Sequence, residues 1–166
     1  MTRAWRVTFG VSVLLWAAVI LGAALIASRG GSPLDVAAAA VYAIGAVVCH
    51  QQPARSFVLA GAQLPVCARC TGIYMGAALA VVGLMLQGPR RMPSPFSNDG
   101  ATRRWRVLLA AAVAPSLLSL IYEWTTGVTP LNLTRALAGA PVGIIVAALV
   151  WVTLGDSRES RGDQVH

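Results

Sequence analysis

The chain has 166 residues, 57% of them hydrophobic and only 11% charged, with a formal net charge of +7. Soluble domains carry roughly a quarter charged residues. An ordinary soluble protein is therefore excluded, as are a disordered chain and a nucleic-acid module working through a broad charged surface.

The apolar segments predict an all-α integral membrane protein, a single transmembrane domain over residues 1–155. Val7–Ser28 is an uncharged run of 22 residues between Arg6 and Arg29. About 20 apolar residues cross a bilayer, so a first span is expected there. A cleaved signal peptide would have an apolar core of only about 7–15 residues. Val36–Val48 is 13 apolar residues, too short for a full span, and reads as a re-entrant or interfacial helix. A loop holding cysteines and a histidine follows over 49–70. Further spans are expected over about 70–89, 107–125 and 135–155, giving four in all. Residues 88–104 read as an Arg-rich loop and 156–166 as a polar tail.

Arginine placement gives the orientation, because all 13 basic residues are Arg. Nine lie in the N-terminus, the loop between the second and third spans (Arg90, Arg91, Arg103, Arg104, Arg106) and the tail; four (Arg29, Arg55, Arg69, Arg135) lie on the other side. The positive-inside rule puts both termini and the Arg-rich loop in the cytoplasm of a cell-membrane protein. The short segment then enters and leaves from the outer side. Pro115 and Pro141 fall inside spans, where a kink is expected. Gly72, Gly76 and Gly83, with Gly139 and Gly143, offer small-residue spacing for close helix approach. Packing within one bundle is favoured over a homo-oligomer, although a larger membrane complex stays open.

The chemistry concentrates in 22 residues. Cys49 and His50 follow the short segment, and Cys67-Ala68-Arg69-Cys70 opens the second span. Thiolate and imidazole are zinc's preferred ligands, so Cys49, His50, Cys67 and Cys70 form a candidate Cys3His site. Zinc is the first choice and iron the second. With four protein ligands the site would be closed and structural; with three, an open position would suit a metallohydrolase. A redox reading stands beside these. Cys67 and Cys70 would be a thiol pair at a helix N-terminus, passing electrons to a quinone. Small four-helix quinone-linked thiol enzymes are the analogy. A static disulfide bridge is the bland alternative.

A second group lies on the same side. Glu123 closes the third span, and Asn132 and Arg135 open the fourth. Glu123 and Arg135 could pair with each other. They could instead serve catalysis as acid/base and anion holder. Arg55, Arg69 and Asn132 would then complete an anion-binding or polar pocket, suited to an anionic lipid-like substrate. Gln51, Gln52, Ser56, Thr71 and Tyr74 are close enough in sequence to orient the ligands.

Cys49-His50-Gln51-Gln52-Pro53-Ala54-Arg55-Ser56-Phe57 and Leu64-Pro65-Val66-Cys67-Ala68-Arg69-Cys70-Thr71-Gly72-Ile73-Tyr74-Met75-Gly76 resemble a prokaryotic family of small membrane proteins known as domain of unknown function 2085. The likeness extends over about Val41–Gly143 and takes in Asn132, Arg135 and Gly139. Ala54 stands where that family's pattern leads one to expect an acidic residue. The resemblance implies an integral membrane protein with these cysteines in a shared motif, and implies no activity.

Overall fold

The computed structural model describes residues 2–87 and 98–156. Among the described residues five α-helices carry the fold: α1 (Thr2–Arg29), α2 (Asp35–Val48), α3 (Ala68–Leu86), α4 (Asp99–Thr126) and α5 (Asn132–Asp156). Four of them, all but α2, are long and apolar enough to cross a membrane. At about 1.5 Å per residue, the 19 residues of α3 match a hydrocarbon core about 30 Å thick. The 14 residues of α2 do not reach across it, and α2 is a short interfacial helix. Large apolar side chains remain exposed along the bundle, among them Leu15, Leu79, Leu118, Ile121 and Leu137. In water such a surface would aggregate; in lipid it is the solvated face.

Glycines set the tightest seam. A Cβ on Gly72 would collide with the Ala136 backbone, and one on Gly76 with that of Ala140. Gly139 and Gly143 return the contact against Arg69 and Ile73. Matching steps of four on both helices mean that α3 and α5 run side by side in one direction. This is small-residue packing inside one bundle. A Cβ on Gly83 would meet nothing within 4 Å, so this glycine takes no part in the seam.

α4 joins the seam through the Ser116 hydroxyl, which donates to Ala138 O at 2.8 Å. At its far end Trp105 packs with Ala148 and Val152 of α5. α2 folds back along the C-terminal half of α1 after a turn in which Gly30 and Gly31 both take positive φ. The first turn of the chain meets its last helix. Arg6 Nε donates to Trp151 O at 3.0 Å, so α1 starts where α5 ends.

Two boundaries differ from the sequence reading. The Arg-rich loop expected over 88–104 is shorter, because α4 already begins at Asp99. Asn98 caps it, its Oδ1 accepting from Ala101 N at 2.7 Å, and this satisfies a donor the first turn leaves open. The remainder of that loop, 88–97, and the 157–166 part of the tail lie outside the described residues. α3 starts at Ala68, two residues before the expected span, which makes Cys67 its N-cap.

Candidate metal centre

The segment between α2 and α3 builds the site. Cys49 ends α2 in an extended conformation (φ −148°, ψ 136°). A 3-10 turn over Pro53–Arg55 follows. Then comes a hairpin of β1 (Val58–Leu59) and β2 (Ala62–Gln63), pairing Val58 with Gln63 and Leu59 with Ala62. Ala60 and Gly61 both have positive φ, as a two-residue hairpin turn demands.

Glutamines tie this segment down. Gln51 sits in the left-handed region at φ 46°, which costs a non-glycine residue roughly 1–2 kcal/mol. Its side chain offsets this by donating to both Tyr42 O and Pro65 O at 2.7 Å. Gln63 Nε2 donates to Gln51 O at 2.6 Å, and the Tyr42 hydroxyl donates to Gln63 O. Gln51 therefore binds backbone carbonyls, and what it orients is the loop. Ser56 and Thr71 act alike, their hydroxyls donating to Gln52 O and Cys67 O.

The result is a group of three sulfurs. The Sγ atoms of Cys49, Cys67 and Cys70 all lie within 4.8 Å of one another, and all three thiols are free. Cys49 is buried with Ile20 and Val66, and Trp16 and Tyr74 pack against that cluster. Trp16 meets Tyr74 edge-on at 6.0 Å, which is the apolar floor. Cys67 N donates to Cys49 Sγ at 3.1 Å. The Cys67 thiol is pushed down to about 5, first by the Cys70 thiol and then by the backbone N–H groups at the start of α3; burial opposes them. Sulfurs arranged tetrahedrally around zinc, at about 2.3 Å each, would lie about 3.8 Å apart. The observed group needs only a small contraction.

His50 stands outside that group. It is exposed and belongs to the wall of the adjoining cavity. The extended backbone at Cys49 is the reason, because successive side chains on an extended chain point to opposite sides. Of the four expected ligands, the structure gathers three.

A cavity of about 400 Å³ opens beside the sulfurs. Glu123, Arg55, Arg69 and Arg135 complete its wall. Glu123 and Arg135 are buried, at 6% and 2% exposure. Arg55 Nη2 and Arg135 Nη2 both reach Glu123 Oε1, each at 2.6 Å. Glu123 and Arg135 thus form an ion pair, and both line the cavity. Arg69 Nη2 donates to Ser119 Oγ at 2.8 Å. Asn132 Nδ2 donates to Ser56 O at 3.0 Å, which fastens α5 to the loop.

Sequence reasoning missed Ser119 and Trp16. A signal for Ser119 existed. Ser116, Ser119 and Glu123 recur at three and four residues, one polar stripe on an apolar helix.

Residues 49–149 match the family model described as "Predicted membrane protein (DUF2085)". An uncharacterised protein of Methanothermobacter thermautotrophicus is 33% identical over 112 residues, covering 63% of this chain and 86% of that relative. An uncharacterised protein of Methanocaldococcus jannaschii is 45% identical over 42 residues, 25% of this chain and 27% of that relative. No solved structure matches the chain.

Proposed function

The chain belongs to the DUF2085 family of predicted membrane proteins, and from that premise we propose that it is a membrane metalloprotein whose Cys49, Cys67 and Cys70 hold a zinc ion. One observation carries this reading: three free thiols converge within 4.8 Å in the wall of a cavity. An all-sulfur donor set selects zinc over hard cations, with iron as the second choice. Three protein ligands leave a fourth position for a group entering the cavity. When bound, the ion would supply Lewis acidity toward such a group. In this reading both termini are cytoplasmic and the site faces the outer side, as the arginine distribution favours.

Glu123 holds Arg55 and Arg135 in place. Its Oε1 already accepts from two guanidinium groups, which favours this role over that of a general base in a hydrolase. Arg135 is in turn the fixed cation of the wall.

Elemental analysis of detergent-purified protein tests the proposal, with thiols counted in the same samples. About one zinc per chain, lost in Cys70→Ser, is the expected result. No metal, together with a reducible Cys67–Cys70 disulfide, would instead favour thiol-disulfide chemistry. The lowered Cys67 thiol at the start of α3 supports that second reading. There the two thiols would lose two electrons and two protons as the S–S bond forms, and a quinone would become a quinol.

A further inference from the structure

We propose that the cavity is a binding subsite for a phosphate group, held by Arg69 and Arg135. It shares the cavity with the proposed metal centre but rests on the guanidinium groups alone. Arg135 carries the argument. Its side chain is 3% exposed, and only Nη2 is engaged, on Glu123. Nε and Nη1 are buried without a partner, and so is Nε of Arg69. Both residues line the cavity. Buried charged donors left unpaired are costly, and two arginines that line the cavity carry three of them.

Charge narrows the class. Three guanidinium groups face a single carboxylate, so the wall keeps a surplus of two positive charges. A zinc ion with three thiolates would add one negative charge, and the wall would stay cationic. A phosphate ester carries one or two negative charges and offers several acceptor oxygens. Arg is the side chain best matched to it. Glu123 is already engaged by Arg55 and Arg135, and the orphan nitrogens remain for the ligand. The cavity, about 400 Å³, is larger than a phosphate group and leaves room for the atoms esterified to it. The phosphate could be free or the headgroup of a lipid entering from the bilayer.

Titration calorimetry on the full chain in detergent tests this with two probes, inorganic phosphate and a short-chain phosphatidic acid. Saturable binding of at least one is expected. Arg69→Gln should weaken it about tenfold or more, since a hydrogen bond to a charged group is lost. Arg69→Gln leaves both Glu123 ion pairs intact, so it decides the matter even if Arg135→Gln fails to fold. Binding of phosphatidic acid alone would support the subsite and identify a lipid source. Binding of phosphate alone would support it and identify a free anion. No saturable binding of either probe, equal affinity in Arg69→Gln, or an effect matched by sodium chloride at equal ionic strength would overturn it. Zinc measured in the same samples separates the two proposals. Zinc retained without phosphate binding removes only the subsite; phosphate binding without zinc removes only the metal centre.

Discussion

The two ends of the bundle handle their arginines in opposite ways. Where α1 starts and α5 ends, Arg6 donates to Trp151 O at 3.0 Å and lies 5.7 Å from the centre of the Trp151 ring. Its charge is met by a carbonyl dipole and an aromatic face, and Trp105, Ala148 and Val152 pack nearby. At the opposite end Arg55 and Arg135 share one carboxylate, and Arg69 meets only the Ser119 hydroxyl. Among the described residues, every buried side-chain polar atom without a partner belongs to Arg69, Asn132 or Arg135 at that end, apart from Asp35 Oδ1. The three thiols sit there too. One end is a satisfied latch. The other keeps unmet bonding capacity next to a cavity, and such capacity persists in a fold when something else completes it.

The sharpest way to break this contrast is to remove the shared carboxylate. Glu123→Ala should destabilise the protein by about 3–5 kcal/mol, because Arg135 would be left buried and uncompensated. Unfolding in denaturant, followed by circular dichroism in detergent, would measure it. Replacing both partners with apolar residues, Glu123→Leu with Arg135→Leu, should recover most of that loss. If stability returns while phosphate binding does not, the ion pair serves the cavity and not the fold.

Next in size is the glycine seam that sets the height of the site. Gly72→Ala would force a Cβ into the Ala136 backbone and should cost about 1–3 kcal/mol. Zinc content should fall with it, because α3 carries Cys70. Gly83→Ala, facing open space, should be neutral or stabilising by up to about 1 kcal/mol. Equal losses from the two would mean that the seam does not position the sulfurs.

A smaller effect concerns the thiols themselves. In metal-stripped, reduced protein, Cys67 should alkylate rapidly at pH 7, and the rate should fall as pH drops through about 5. The sign follows because the thiolate is the nucleophile and protonation below that midpoint removes it. Cys70→Ala removes the principal donor to Cys67 and should move the midpoint upward, toward the ordinary thiol range. Mass spectrometry of the alkylated peptide would report both rates.

The sequence made one kind of information plain and hid another. Uncharged runs near 20 residues announce spans, since a bilayer tolerates little else, and α2 was legible as too short. The clustering of Cys49, Cys67 and Cys70 was legible because they crowd one short segment. That His50 would stand apart was not, because it depends on the extended backbone at Cys49. The double grip of Arg55 and Arg135 on one Glu123 oxygen was also hidden, since it needs the turn at Pro53–Arg55 to meet two helices. The cap at Asn98 was hidden as well, because it and the arginines after it read as loop.

Arg6→Gln completes the comparison. It removes a cation from an aromatic face, worth about 0.5–1 kcal/mol at an exposed site, and weakens one hydrogen bond, worth about 1 kcal/mol. A loss of about 1–2 kcal/mol in unfolding free energy is therefore expected. Zinc content and phosphate affinity should not change, because Arg6 meets Trp151 at the far end of the bundle. Arg69→Gln should do the reverse. It surrenders one bond to Ser119 and relieves an orphan nitrogen, so stability should move little while phosphate affinity falls. If Arg6→Gln altered the site, or Arg69→Gln unfolded the protein, the two ends would be one cooperative unit, and the separation of latch from cavity would be lost.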